Sequence, residues 1–480
     1  MEERLRSAKP GQPAQKTVKS RLLVFGVVAF AVVLAGWLIY AFSEPLSVTL
    51  YPVDLRVYLD GGLIVRHSSP PYQASLQYPL YDWPKNNEAL KFTYTPFAAL
   101  FFAVVSVIPW SILPRVVQVA NLVFLFAAAW FTMDLLGYKS RQARLGGALL
   151  GAAAGLLIEP VFRTMYLGQI NLLLMALILW DLNQPDSRRW KGLATGIAAG
   201  IKIIPGIFIL YLLLTKRYRA GVMEIIGFVA TIGLGFVLLP GDSKDFWLKG
   251  LFFQDGRTGF TGWGGNQSLR GLITRLMGSI DAATGTWVLA VVLATVIGLA
   301  CAVLLDRAGH TLLAILMTAL VGLLDSPISW DHHWVWVVPG MMAAGHYAAR
   351  AWQAGRRRAA LGCGGVGVAL LLIFAPWPGS LWSLPSTGPG NFVDGLIWAG
   401  PNTAVTKYVK FGDQPWFKEY HWAGLQNLSG NAYILAGLAM FVLLTVVALR
   451  TRAGARVAGP AASAVPGTPA TPDASAAASV

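Results

Sequence analysis

Apolar residues fall in long, nearly uninterrupted runs. The first covers residues 22–42, and later ones cover 222–239, 287–305, 311–324, 334–349, 361–375 and 432–449. Runs near about 20 residues match a helix crossing the hydrocarbon core of a bilayer. The pattern therefore predicts an all-α polytopic membrane protein. The run at 22–42 is too long for a signal-peptide core, and no small-residue cleavage site follows it, so it is expected to be retained as a helix. Between residues 95 and 215 the pattern is less regular. Counting every run there as a full span puts "YKSRQAR" and "SRRWK" on the opposite side from the other basic connectors. Keeping both on the same side requires 96–109 to dip without crossing, and 192–214 to split into two half-helices around Pro205. Either scheme gives an even number, about twelve membrane segments.

Composition agrees with this pattern. Charged residues make up 13% of the chain, about half their usual share in a soluble protein. The net charge of +15 would suggest nucleic acid in a soluble chain, but the positive residues cluster in short connectors between apolar runs. That is the signature of membrane topology, so no nucleic-acid partner is expected. A basic tail (1–21) and a basic "RTRAGAR" near the other end place both termini in the cytoplasm of a multi-pass plasma-membrane protein. The body is expected to run over 22–450, followed by a disordered Ala/Pro/Ser-rich tail at 451–480. Three segments predicted to lie outside are large: 43–94, 240–286 and 376–430. Their Trp, Tyr, Gly, Pro and Asn content argues for ordered, functional loops. Cys301 and Cys363 lack the neighbours of a zinc site, and no disulfide is expected.

Several polar stretches interrupt the apolar pattern. "VDLRVYLDGG" (53–62) carries Asp54 and Asp60. On a helix, Asp54, Tyr58 and Gly61 share a face while Asp60 turns away. Asp54 could equally cap a short helix. "KFTYTPFAAL" (91–100) places Tyr94 at a membrane interface and Pro96 in the first turn of a helix. "EPVFRTMYLGQINLLLMALILW" (159–180) holds Glu159, Arg163, Gln169 and Asn171 at membrane depth, where ionisable groups are costly and functional by default. A Glu159–Arg163 helix pair, or helix–helix contacts of Gln169 and Asn171, are the structural alternatives. Lys202, three residues before Pro205, sits at a helix break that can line a cavity and meet a phosphate. "GWGGNQSLRGL" (262–272) offers Asn266, Gln267 and Arg270 to a hydroxyl-rich or phosphate ligand. "DSPISWDHHWVW" (325–336) brings His332 and His333 to a helix mouth, suited to a phosphate or proton contact. Ligand spacing does not indicate a metal, although a divalent ion is not excluded. Serine-hydrolase elbows, P-loops and dinucleotide fingerprints are missing, which leaves serine-hydrolase and nucleotide-binding readings without support. With no soluble domain to bind a sugar nucleotide, a glycosyl transferase here would take a membrane-borne donor.

In order, a carboxylate after the first helix, then "YTPFAAL", "YLGQINLL", "GIKIIPG", "NQSLRG" and "SPISWDHHW" resemble glycosyltransferase family 87, over roughly residues 53–336. These are polytopic GT-C enzymes of actinobacteria. The resemblance implies a GT-C fold with large extracytoplasmic loops, a polyprenyl-phosphate sugar donor, mannose transfer to a glycolipid or lipoglycan acceptor, and inversion at the sugar. It further implies Asp54 as general base, with Lys202, Arg163, Arg270 and His332 or His333 answering the donor phosphate. Arabinofuranosyl transfer is the nearest alternative, and a lipid or polysaccharide transporter is the alternative of another class.

Overall fold

A computed structural model describes residues 12–43, 50–67, 80–81, 90–254, 257, 259–377, 395–398, 420, 422 and 424–457. The expectations for residues 1–11 and 458–480, for half of the loop 43–94 and for most of the loop 376–430, lie outside the described residues. The helices of eight residues or more are, in chain order, α1 (Gln12–Ser43), α2 (Val53–His67), α3 (Pro96–Val105), α4 (Leu113–Leu135), α5 (Arg141–Leu156), α6 (Glu159–Leu167), α7 (Asn171–Leu182) and α8 (Leu193–Ile201). They continue with α9 (Ile207–Leu214), α10 (Tyr218–Leu238), α11 (Leu269–Met277), α12 (Ile280–Arg307), α13 (Thr311–Asp325), α14 (Val337–Gln353), α15 (Arg357–Phe374) and α16 (Ala432–Val457). Among the described residues the β-type pairing is a single isolated bridge, Asn266 to Trp330. α16 runs past the expected start of the C-terminal tail, to Val457.

Among the described residues, six stretches are long and apolar enough to cross a membrane: Arg21–Tyr40, Leu113–Leu135, Tyr218–Leu238, Ile280–Arg307, Arg357–Phe374 and Ala432–Arg452. A seventh is the pair α5 and α6 if they form one span bent by 76°. Against the dozen segments expected, the rest of the apolar pattern is carried by shorter helices. The irregular region between 95 and 215 owes its irregularity to breaks. α3 has ten residues, or about 15 Å at ~1.5 Å per residue, half the thickness of a bilayer core. The expected division at Pro205 is present: α8 ends at Ile201, Lys202 is extended, and a 3-10 turn over Ile204–Gly206 leads into α9. Proline has no N–H to give to Ile201 O, the acceptor four residues back in a continuous helix.

These breaks are held in place by polar side chains. Asp181 on α7 accepts hydrogen bonds from Gly192 N (2.9 and 3.1 Å), Thr195 N (2.9 Å) and Thr195 Oγ1 (2.8 Å). A carboxylate there satisfies donors that the first turn of α8 cannot satisfy itself, and so fixes where α8 delivers Lys202. Thr95 caps α3 by accepting from Ala98 N at 3.1 Å, and its hydroxyl donates to Gly200 O. The entry to α3 is thereby tied to the end of α8, next to Lys202. α1 rests on α5 through backbone contact. A Cβ on Gly146 would lie 2.7 Å from both Leu22 O and Leu23 Cα, the close approach that small residues permit between membrane helices.

Candidate active site

The two carboxylates of α2 have separate environments. Asp54 Oδ2 accepts a hydrogen bond from Gln169 Nε2 at 2.7 Å, leaving Oδ1 without a partner among the described residues. Asp60 instead forms an ion pair with Arg56, one turn back, at 3.1 Å. Burial pushes the Asp60 carboxyl up to about 6, against the pull of Arg56. A folded-state value above the unfolded one means the native state holds the extra proton, so this group's contribution to stability falls as pH rises between about 4 and 6. Asp60→Asn is expected to flatten that slope when the thermal midpoint is followed across this range. An unchanged slope would contradict the assignment.

Gln169 is the centre of the arrangement around Asp54. Its Oε1 accepts from Tyr58 OH at 2.5 Å, and Tyr58 OH lies 2.9 Å from Tyr94 OH. The two rings meet edge-on at 5.0 Å, and Tyr58 stacks on Phe102 at 4.2 Å. The Gln169 backbone is equally constrained. Its N–H donates to Thr164 O at 2.8 Å and its carbonyl accepts from Asn121 Nδ2 at 3.1 Å. Gly168 makes the turn possible. It ends α6 at φ +72°, and a Cβ there would stand 2.6 Å from Leu55 Cβ. A side chain at 168 would cost about 1–2 kcal/mol in left-handed strain and would also push α2 away. Tyr51 N–H donates to Tyr166 O at 3.0 Å, so α2 and α6 are fastened at both ends of the Asp54 site. The helical phase read from the sequence does bring Asp54 and Tyr58 together, and Gly61 faces Phe92 on the same side.

A cationic group lies on the other side of Tyr94. The Lys202 ammonium is 5.9 Å from the centroid of the Tyr94 ring. It donates to Asn171 Oδ1 at 3.0 Å and to His333 Nε2 at 2.9 Å. His333 is held neutral by burial and then by the Lys202 charge, which puts its proton on Nδ1. Asn171 Nδ2 donates to His332 O at 2.8 Å, and Thr164 Oγ1 donates to the same carbonyl at 3.1 Å. His332 Nδ1 donates to Asp331 Oδ1 at 3.0 Å. Two buried imidazole nitrogens, His332 Nε2 and His333 Nδ1, have no hydrogen-bond partner among the described residues. Both nitrogens are open to a hydrogen bond with a bound group.

Arg163 is part of this cluster but is not a free cation. Its Nε pairs with Asp331 Oδ2 at 3.0 Å, and Glu159 Oε1 lies 3.7 Å away. The helix pair expected from sequence is therefore the looser of its two ion pairs. Although burial raises it, Arg163 and then His332 hold the Asp331 carboxyl well below the usual carboxylate range. Glu159 in turn accepts from Trp398 Nε1 (3.1 Å) and Tyr433 OH (3.0 Å). Asn266 and Gln267 are wholly buried, and their amides are used on backbone. Asn266 Nδ2 donates to Thr261 O (2.9 Å) and Pro327 O (3.1 Å), and its Oδ1 accepts from Ser329 N at 3.0 Å. Gln267 Nε2 donates to Gly264 O (2.5 Å) and Gly430 O (2.8 Å). Both hold the segment that presents Asp331 to His333. Arg270 stacks on Trp287 at 4.5 Å. Among the described residues no group of three or more His, Cys, Asp or Glu side chains is placed to hold a metal ion.

Three contributors were not singled out from sequence as site residues: Asp331, Asn121 and Trp398. Asn121 had a local signal, being an amide in the apolar helix α4. Trp398 had none, because its hydrogen-bond partner, Glu159, lies 239 residues away.

Comparison with known proteins gives the family. The model of glycosyltransferase family 87 matches residues 92–327. A polyprenol-phosphate-mannose-dependent alpha-(1-2)-phosphatidylinositol pentamannoside mannosyltransferase of Mycobacterium tuberculosis (strain CDC 1551 / Oshkosh) is 35% identical over 370 residues, covering 75% of this chain and 82% of the relative. The chain belongs to glycosyltransferase family 87. A phosphatidylinositol mannoside mannosyltransferase of M. tuberculosis (strain H37Rv), dependent on the same donor, is 34% identical and covers 62% of this chain and 71% of the relative. A pentamannoside mannosyltransferase of Mycolicibacterium smegmatis is 33% identical, covering 68% and 76%. No solved structure matches the chain. The matched region of this family-87 protein includes Arg163, Gln169, Asn171, Lys202 and the 262–272 stretch, whereas Asp54 and Asp331–His333 flank it. The folded chain closes the flanks onto the matched region.

Proposed function

We propose that this chain transfers a mannosyl group from a polyprenyl-phosphate donor to a hydroxyl of a phosphatidylinositol mannoside-type glycolipid, with inversion, on the extracytoplasmic face of the plasma membrane. Both termini are then cytoplasmic, as the basic segments suggest. The observation that carries the reading is one continuous chain of contacts. It runs from Asp54 through Gln169, Tyr58 and Tyr94 to Lys202 and His333. At one end of that chain stands a carboxylate with an oxygen unpartnered among the described residues, and at the other a buried ammonium beside two unpartnered imidazole nitrogens. Inverting transfer needs those two functions opposite each other. The names of the relatives support mannose as the sugar and a polyprenyl phosphate as its carrier.

In the reaction Asp54 Oδ1 takes the proton of the acceptor hydroxyl. That oxygen forms a bond to the anomeric carbon while the bond from carbon to phosphate oxygen breaks on the opposite face. Polyprenyl phosphate leaves with the electron pair. Its growing negative charge is met by the Lys202 ammonium and by the Nδ1–H of His333. A preorganised donor costs no reorganisation when the charge develops. Gln169 keeps Oδ2 engaged so that Oδ1 is the oxygen presented. Arg163 neutralises Asp331, and that pair orients His332.

The deciding experiment uses purified protein in lipid, with polyprenyl-phosphate mannose or polyprenyl-phosphate arabinose, a phosphatidylinositol mannoside acceptor, and divalent cation present or removed. Mannose is expected in the product in α linkage. Transfer of arabinose alone, or no transfer of either sugar, would overturn the reading. Gln169→Leu is expected to lower kcat about 10- to 100-fold, the worth of a hydrogen bond to a charged group, with little change in donor KM. A loss confined to KM would assign Gln169 to donor binding instead.

A further inference from the structure

We propose that Trp263 is the platform of an acceptor subsite and stacks on a hexopyranose ring beyond the reacting one. The inference rests on the mannosyltransferase reading and adds to it the place where the acceptor glycan is held. Trp263 is 40% exposed, whereas Trp398 beside it is 7% exposed. Its ring meets Trp330 at 5.5 Å and 70°, and Trp398 at 5.4 Å and 64°. Two edge-on neighbours hold the indole upright while one part of its surface stays open.

The backbone beneath it is equally fixed. Buried Arg275 donates from Nη1 to Trp263 O at 3.0 Å and to Asn266 O at 2.9 Å. Its Nε and Nη2 reach Asn431 Oδ1 at 2.9 and 2.6 Å. An apolar anchor that merely dips into lipid needs no such support.

Position supplies the second observation. Trp330 immediately precedes Asp331, and Asp331 N–H donates to Gly265 O at 3.0 Å, two residues after Trp263. The Arg163 guanidinium, which pairs with Asp331, also lies 5.2 Å above the Trp398 ring. The open indole is thus built onto the same segment that carries His332 and His333. A hexopyranose presents a face of C–H groups rimmed by hydroxyls. A rigid aromatic face takes up the apolar side and leaves the hydroxyls to water or to nearby polar groups. Preorganisation of the ring lowers the entropic cost of holding it.

The test measures steady-state transfer with the full chain in lipid, using a long and a short acceptor that differ by one outer sugar. Trp263→Ala is expected to raise KM for the long acceptor about tenfold, the scale of one aromatic stacking contact. KM for the short acceptor, kcat and donor KM should change less than about twofold, and Trp263→Phe should recover most of the loss. If Trp263→Ala does not fold, Trp263→Leu, which keeps apolar bulk without an aromatic face, carries the comparison. Equal effects on both acceptors would make Trp263 a membrane anchor and overturn the proposal, as would an unchanged KM for the long one. Failure of the function reading is distinct: the unmutated protein would then transfer mannose to neither acceptor, and the subsite would fall with it.

Discussion

Asp54→Asn is expected to lower kcat by about 10²–10⁴-fold, the contribution typical of a positioned general base, while the protein still inserts and still binds polyprenyl phosphate. The amide keeps the size of the carboxylate and can keep a hydrogen bond to Gln169, so packing of α2 on α6 is retained. What it loses is the ability to accept a proton at the oxygen that Gln169 leaves free. The measurement is single-turnover transfer at saturating donor, alongside polyprenyl-phosphate binding to the same preparation. Asp60→Asn is the internal control on the same helix. Its carboxylate is committed to Arg56, so transfer should survive. Full activity in Asp54→Asn would remove the mechanism.

Lys202→Met is expected to lower kcat by about 10²–10³-fold, the range seen when one preorganised donor to a developing negative charge is removed. Methionine fills the aliphatic stem but cannot answer the leaving phosphate. Lys202→Arg should not rescue it. The ammonium is a compact point charge shared between Asn171 Oδ1 and His333 Nε2 at 3.0 and 2.9 Å, a geometry that a planar guanidinium fork does not reproduce. His333→Ala in the Lys202→Met background should cost much less than in the unmutated protein, because groups that act as a unit are not additive. Additive losses would show that the two residues serve different steps.

Hydrophobic periodicity made several features legible from sequence. It marked a helical membrane protein, because a backbone in lipid must satisfy its own hydrogen bonds and only long apolar helices do so within one segment. Helical phase separated Asp54 from Asp60, because those side-chain directions depend on residues at most six apart. A proline three residues on placed Lys202 at a broken helix, again a local effect. The order of short motifs carried the family, even though each motif alone was weak.

Convergence was decided only by the tertiary structure. Gln169 and Asn171 are legible as functional polar groups or as helix–helix contacts, and the fold engages one amide with Asp54, 115 residues away, and the other with His332 O and Lys202. Asn266 and Gln267 suggest ligand binding in sequence, and in the fold their amides bond backbone at 264, 327, 329 and 430. The resemblance offers Arg163 to the donor phosphate, and the fold pairs it with Asp331, 168 residues on. A sequence shows which donors and acceptors a chain carries, and local periodicity shows which way each one points. Which of them are consumed inside the protein, and which remain for a substrate, depends on partners brought together over long separations, and only the folded chain sets those.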